Sequence, residues 1–256
     1  MLTKRTVTEV KELLTKKGRD DTGRFIVEGW KSVEEAAATG MKCDMLLYDP
    51  ERVEDHKLLS RIERSAAAVY QASKKEIESI SDTVHAQGII AVLPQMDHTA
   101  ALASVLRRPE GVIIALDGIN DPGNLGTIIR TCDWFGVDAV LIGTGSVDLY
   151  NPKTVRATMG SLFHLPVVDR TALTTVLAQC REGGFTIFST ELTKSKDVRS
   201  VPIPKRCVIV IGSESHGVSE PVSVMADERI RIPQFGKAES LNAAMACGVI
   251  LSYLKL

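Results

Sequence analysis

From residue 112 onward the chain alternates short, almost wholly apolar runs with stretches of helical pattern. The runs are Val112–Asp117, Ala139–Ile142, Val167–Val168, Phe185–Phe188, Cys207–Ile211 and the shorter Arg229–Ile232. Helical patterns lie over 124–135, 152–160, 171–182 and 241–254, with Asn151 as cap and Pro152 at the first position of the second one. A strand with no polar face must be covered on both sides. Runs of this kind joined through helices predict an α/β fold with a parallel sheet between two layers of helix.

The residues in front of this region also alternate. A short amphipathic helix is expected over 7–17, with Val7, Val10, Leu13 and Leu14 on one side and Gly18 to stop it. Strands follow at Phe25–Val27, Met45–Tyr48, Val69–Gln71 and Gly88–Leu93, the last ended by Pro94. Helices fall at Ser32–Ala38, closed by Gly40, and near 55–67; a third starts at the capping box Ser73-Lys74-Lys75-Glu76. This is enough for a small α/β domain. Residues 94–110 read as a connector with a short helix, Thr99–Leu106, before Arg107–Gly111 breaks the chain. The expected division is 1–105 and 106–256.

A net charge of −1 excludes reading nucleic-acid binding from overall charge. The most basic local region holds Lys11, Lys16, Lys17, Arg19 and Arg24, either a solvated face or an arm that meets RNA. The five cysteines are odd in number and form no CxxC pair, which argues against a disulfide framework or a zinc site. Reduced thiols and a cytoplasmic setting are expected. Met1–Arg5 leads into a polar helix with no apolar leader. No apolar run reaches the roughly 20 residues that span a bilayer, and Leu241–Leu256 is too short to do so.

Open α/β sheets bind ligands outside the carboxyl ends of their strands. Four such ends carry more glycine and polar residues than a turn requires: Asn120–Arg130, Ser189–Glu191, Ile211–Gly217 and Ile232–Asn242. Each admits a plain alternative. Asn124 and Arg130 stand six positions apart, and Arg130 could be a solvated helix residue. Gly212 and Gly217 could let backbone approach a ligand around Glu214, or form a tight turn. Ser240 is the expected cap of the last helix, with Asn242 in its first turn. Gly143-Thr144-Gly145-Ser146 has no GxGxxG continuation, and no GxxxxGK[ST] run occurs. His85, His164 and His216 lack metal-ligand spacing, and no G-x-S-x-G elbow is present. His216 alone lies inside one of the glycine loops.

Taken in order, these loops resemble the SPOUT superfamily of RNA methyltransferases, in particular the SpoU (TrmH-like) ribose 2'-O-methyltransferases. The resemblance rests on Asn124–Thr131, Tyr150–Phe163, Ile211–Gly217, and Ile232-Pro233 with Gly236 and Ser240–Ala244. Weaker matches, Arg24–Gly29 and His85–Gly88, make the front domain similar to an L30e-like substrate-binding domain.

The resemblance implies a deep trefoil knot near the carboxyl end, against the general rule that chains are unknotted. It implies S-adenosylmethionine held at Thr190, Gly212, Ile232 and Leu241; no metal is expected, given the histidine and cysteine spacing. It also implies a homodimer through the catalytic domain, whose two subunits complete each site. Arg130 is the implied catalytic residue, with Asn124, Glu214, Ser240 and Asn242 shaping the site. A guanidinium stays protonated to very high pH, so positioning RNA or a phosphate suits Arg130 better than removing a proton. Lys16, Lys17, Arg19 and Arg24 become candidate RNA contacts. The substrate expected by analogy is large-subunit ribosomal RNA. The alternatives are a tRNA 2'-O-methyltransferase, a base methyltransferase, an inactive RNA-binding or ribosome-assembly factor of this fold, and, least supported, a nucleotide-dependent oxidoreductase.

Overall fold

A computed structural model of the chain describes residues 2–83 and 86–255. His85, one of the residues behind the front-domain resemblance, lies outside them, as do Met1 and Leu256. In chain order the helices are α1 (Lys4–Glu12), α2 (Lys16–Thr22), α3 (Trp30–Ala38), α4 (His56–Glu63), α5 (Lys74–Ile80), α6 (Thr99–Val105), α7 (Pro122–Trp134), α8 (Pro152–Ala157), α9 (Leu173–Glu182), α10 (Glu220–Ser223) and α11 (Ala243–Lys255). The strands are β1 (Arg24–Glu28), β2 (Cys43–Tyr48), β3 (Ala66–Gln71), β4 (Ile89–Pro94), β5 (Gly111–Asp117), β6 (Ala139–Gly143), β7 (Val167–Thr171), β8 (Thr186–Thr190), β9 (Lys196–Asp197), β10 (Arg206–Gly212) and β11 (Glu228–Arg231). The chain divides into two compact units, Met1–Met96 with Asp148–Phe163, and Asp97–Val147 with His164–Leu256.

The first unit is built on a four-stranded sheet of order β1-β4-β2-β3, in which β2 and β3 run parallel and the other pairs antiparallel. Val10, Leu13, Ile26, Leu47, Ile77, Ile80, Ile90 and Val92 form one of its cores. The capping box is present at α5: Ser73 N–H donates to Glu76 Oε2 at 2.7 Å and Glu76 N–H to Ser73 Oγ at 3.4 Å.

Where a single helix over 7–17 was expected, there are two. α1 ends at Glu12, and Thr15 opens α2 by accepting from Gly18 N–H at 3.1 Å. Gly18 therefore sits inside the second helix and stops nothing. Its lack of a side chain serves packing, since a Cβ there would lie 2.1 Å from the Glu12 carbonyl oxygen.

Residues 148–163 belong to this unit despite their place in the sequence. Asp148 Oδ2 accepts from Arg19 Nε at 2.9 Å and Nη2 at 2.6 Å, with both side chains buried. The Tyr150 ring lies 4.5 Å from that of Phe25. Asn151 caps α8, accepting from Lys153 N–H at 2.9 Å, and Arg156 of that helix pairs with Asp82.

The second unit is the expected parallel sheet. Its seven strands have the order β7-β6-β5-β10-β8-β11-β9, and every neighbouring pair is parallel. β5 and β10 occupy the middle, and Val112–Leu116 and Cys207–Ile211 are buried throughout. α6 packs here, with Leu102 and Val105 in the core alongside Ile113, Leu141, Ile187 and Val208. α7 and α11 pack against each other, and α11 also touches β10. Reading the sequence missed β9 and α10, both too short to show a period.

Candidate active site

The site is assembled at the carboxyl ends of β5, β8, β10 and β11, all within the second unit. After β10 the chain turns back on itself: Ser213 N–H donates to the Gly217 carbonyl at 3.1 Å and Gly217 N–H to the Ser213 carbonyl at 2.8 Å. Beyond the turn, Ser219 N–H donates to Asp117 Oδ2 of β5 at 2.7 Å. A Cβ on Gly212 would sit 2.0 Å from the Gly217 carbonyl carbon and 2.2 Å from Val218 N. The crossing of its own loop is thus enough to require glycine at 212. Gly217 has φ +68° and supplies the left-handed turn residue.

The turn presents Glu214 to two helix N-termini. Asp121 caps α7 by accepting from Asn124 N–H at 2.8 Å, which leaves the Asn124 side chain free for other partners. Asn124 Nδ2 donates to Glu214 Oε1 at 2.5 Å, and Asn124 Oδ1 accepts from Asn242 Nδ2 at 2.9 Å. Asn242 Oδ1 accepts from Ala244 N–H at 2.9 Å and Met245 N–H at 3.3 Å. Glu214 Oε1 also accepts from Ala243 N–H at 3.2 Å. Asn242 is therefore the cap of α11, correcting the expectation that Ser240 would be. Ser240 is exposed, two residues ahead of the cap.

Beside this network lies a cavity of about 580 Å³. Thr190, Gly212, Ile232 and Leu241 all line it, as do Glu214 and Ser240. Asn124 and Asn242 join it through Glu214. Arg130 is not part of its wall. It is exposed on α7, roughly 9 Å along the helix axis from Asn124, and has no hydrogen-bond or ion-pair partner among the described residues. His216 also lines the cavity; its Nδ1 lies 2.8 Å from Ser215 Oγ.

Glu191, marked in sequence only as the end of the Ser189–Glu191 loop, also lines the cavity. Glu191 Oε1 accepts from Ser189 Oγ at 2.8 Å and Ser223 Oγ at 2.6 Å, and pairs with Arg229 Nε at 3.2 Å. This clamps the loop after β8. Ser223 lies 32 residues away in sequence, so no local pattern could have signalled the contact.

The basic residues of the first unit do not form one free face. Arg19 is only 2% exposed and is committed to Asp148, with Nη1 donating to the Leu13 carbonyl at 2.8 Å. Burial and pairing withdraw it from any RNA-facing set. Arg24 pairs with Glu9 at 2.9 Å and Lys16 with Asp20 at 2.7 Å, while Lys17 is exposed. The five cysteines are unpaired and buried. Among the described residues no group of His, Cys, Asp or Glu could hold a metal ion, and no helix is long and apolar enough to cross a membrane.

Residues 111–252 match the SpoU rRNA Methylase family, and residues 4–91 match the MRM3-like substrate binding domain. The 23S rRNA (guanosine(2553)-2'-O)-methyltransferase RlmP of Bacillus subtilis strain 168 is 32% identical over 250 residues, which cover 97% of this chain and 95% of that protein. Among solved structures, an AdoMet-bound rRNA methyltransferase from Sinorhizobium meliloti superposes with a TM-score of 0.87 at 32% identity, covering 99% of this chain and 95% of the other. The SpoU methyltransferase AviRb from Streptomyces viridochromogenes, in complex with AdoMet, gives a TM-score of 0.87 at 26% identity, over 98% of this chain and 97% of its own.

Proposed function

The chain belongs to the SpoU rRNA Methylase family, and on that premise we propose that it methylates a ribose 2'-hydroxyl of large-subunit ribosomal RNA with S-adenosylmethionine. The observation that carries this reading is the Asn124–Glu214–Asn242 network. It ties three segments, far apart in sequence, together at Glu214 in the wall of the cavity at the carboxyl end of a parallel sheet.

The cavity fits the cofactor. Its volume of about 580 Å³ falls in the range of small-molecule sites. Apolar walls at Ile211, Ile230, Ile232 and Leu241 suit an adenosyl group, and Thr190 with the loop backbone supplies polar contacts. Thr190, Gly212, Ile232 and Leu241 would hold it. When bound, S-adenosylmethionine supplies an activated methyl group.

The chain's own task is to bring a ribose hydroxyl into line and ease the loss of its proton. Arg130, exposed and without an ion-pair partner among the described residues, is suited to grip a phosphate next to the target ribose, while its positive charge favours the alkoxide as the hydroxyl proton passes to water. Asn124 and Asn242 have their amides fixed by the network, and Ser240 stands at the cavity wall; each can orient the ribose. The first unit serves as the RNA-binding domain, with Lys16 and Lys17 at its surface.

A homodimer through the second unit is part of this reading. Met245, Val249 and Tyr253 form an i, i+4, i+8 stripe on α11; Met245 is 64% and Tyr253 50% exposed, an apolar face of the kind that packs between subunits. We also place a trefoil knot around the cavity, supported by the return of the chain from β11 across the sheet to pack α11 on α7 and β10. A ribosomal substrate sets the activity in the cytoplasm. The test is to map 2'-O-methyl groups in total RNA from cells with and without this protein. The loss of one large-subunit site supports the reading, whereas loss of a tRNA site or of no site refutes it.

A further inference from the structure

We propose that Phe235 is a stacking platform for an unpaired nucleobase of the RNA substrate, at the lip of the cofactor cavity. The proposal rests on the reading of the chain as an RNA methyltransferase. Phenylalanine is among the residues most often fully buried, yet Phe235 is 87% exposed. It stands on the loop that lines the cavity between β11 and α11. That loop is closed on itself, because Gln234 Nε2 donates to the Gly236 carbonyl at 3.1 Å and the Ala238 carbonyl at 2.6 Å. The ring is thus presented outward from a braced turn.

Its surroundings are cationic. The Arg199 guanidinium lies 5.9 Å from the ring centroid and is held in place by Asp197, whose carboxylate accepts from Arg199 Nε at 3.0 Å. Arg231 and Lys237 flank Phe235 in sequence. Both are exposed, and neither has an ion-pair partner among the described residues. With Arg199 over one face, the exposed ring keeps its other face for a base, and the exposed cations of the neighbouring segments can meet backbone phosphates, as in single-stranded RNA recognition.

The test is methyl transfer from labelled S-adenosylmethionine to total RNA taken from cells that lack this protein. It compares wild type with Phe235→Ala, Phe235→Leu and Phe235→Trp. Loss of one stacked base should raise the RNA concentration for half-maximal rate by about 5- to 150-fold in Phe235→Ala. Phe235→Trp should restore it, and Phe235→Leu, apolar without a π face, should not. Cofactor affinity by calorimetry and the sedimentation coefficient should stay unchanged. An unaltered RNA dependence in Phe235→Ala overturns the proposal. So does full rescue by leucine, or a defect that tracks with cofactor affinity or subunit dissociation. Absence of any incorporation by the wild type would instead defeat the methyltransferase reading, and the inference with it.

Discussion

Asn124 Nδ2 donates to Glu214 Oε1 at 2.5 Å across 90 residues of sequence. The same carboxylate oxygen accepts from the first amide of α11, and Asn124 in turn accepts from that helix's cap, Asn242. The three side chains act as one unit, so their removal should not be additive. In a cycle of Asn124→Ala, Glu214→Ala and the double variant, the second substitution should cost far less activity than it does alone. The coupling in transition-state free energy should reach about 1–3 kcal/mol. Steady-state methyl transfer measures this directly, and additive losses would show that the residues work independently.

The buried pair Arg19–Asp148 should be a stability determinant of the full chain. Asp148→Ala leaves a guanidinium that is 2% exposed without its counter-charge. Breaking such a pair from one side costs about 3–5 kcal/mol, seen as a lower urea midpoint. Lys17→Ala, at an exposed position, should shift stability by no more than about 0.5 kcal/mol and should weaken RNA binding. A stable Asp148→Ala protein would contradict the assignment.

Two glycines of the site should differ in how alanine affects stability. At Gly212 the added Cβ meets backbone 2.0 Å away, so the loop carrying Glu214 must move. Gly212→Ala should destabilise the protein by about 1–3 kcal/mol and abolish cofactor binding by calorimetry. At Gly236 no protein atom lies within 4 Å, and Gly236→Ala should leave stability unchanged.

Burial pushes the Cys207 thiol up to about 12, and the Cys43 and Cys180 thiols up to about 11, from an ordinary value of 9.0. Each holds its proton more tightly in the folded chain. Their contribution to stability is complete below pH 9 and falls as pH rises toward 11–12. Replacing Cys207 by alanine should therefore flatten the alkaline loss of stability in urea titrations between pH 9 and 11. The native thiols should also resist a disulfide reagent at neutral pH until the chain unfolds.

The parallel sheet was legible because Val112–Leu116 and Cys207–Ile211 have no polar face and must be buried on both sides. The capping residues Asn151 and Ser73 were legible because a cap is a local bargain between a side chain and its own helix. What escaped was decided at a distance. Arg19 looked like part of a basic face, and only the return of residues 148–163 to the first unit supplies the carboxylate that buries it. Ser240 and Asn242 are both plausible caps by type; Asn242 takes the role because Asn124 accepts from its Nδ2 and leaves its Oδ1 to α11. Gly212 could be marked as special from sequence, but the reason, its own loop crossing over it, is a tertiary fact.

In the proposed function Arg130 serves methyl transfer to a ribose 2'-oxygen at the site framed by Asn124, Glu214 and Asn242. The most direct measurement is nucleoside mass analysis of RNA from cells lacking the protein, after incubation with S-adenosylmethionine and either wild type or Arg130→Ala. Calorimetry would establish in parallel that both bind the cofactor equally. Wild type should give a single 2'-O-methylated nucleoside, and Arg130→Ala at least a ~100-fold lower yield. Full methylation by Arg130→Ala, or a methyl group found on a base, would contradict the proposed function.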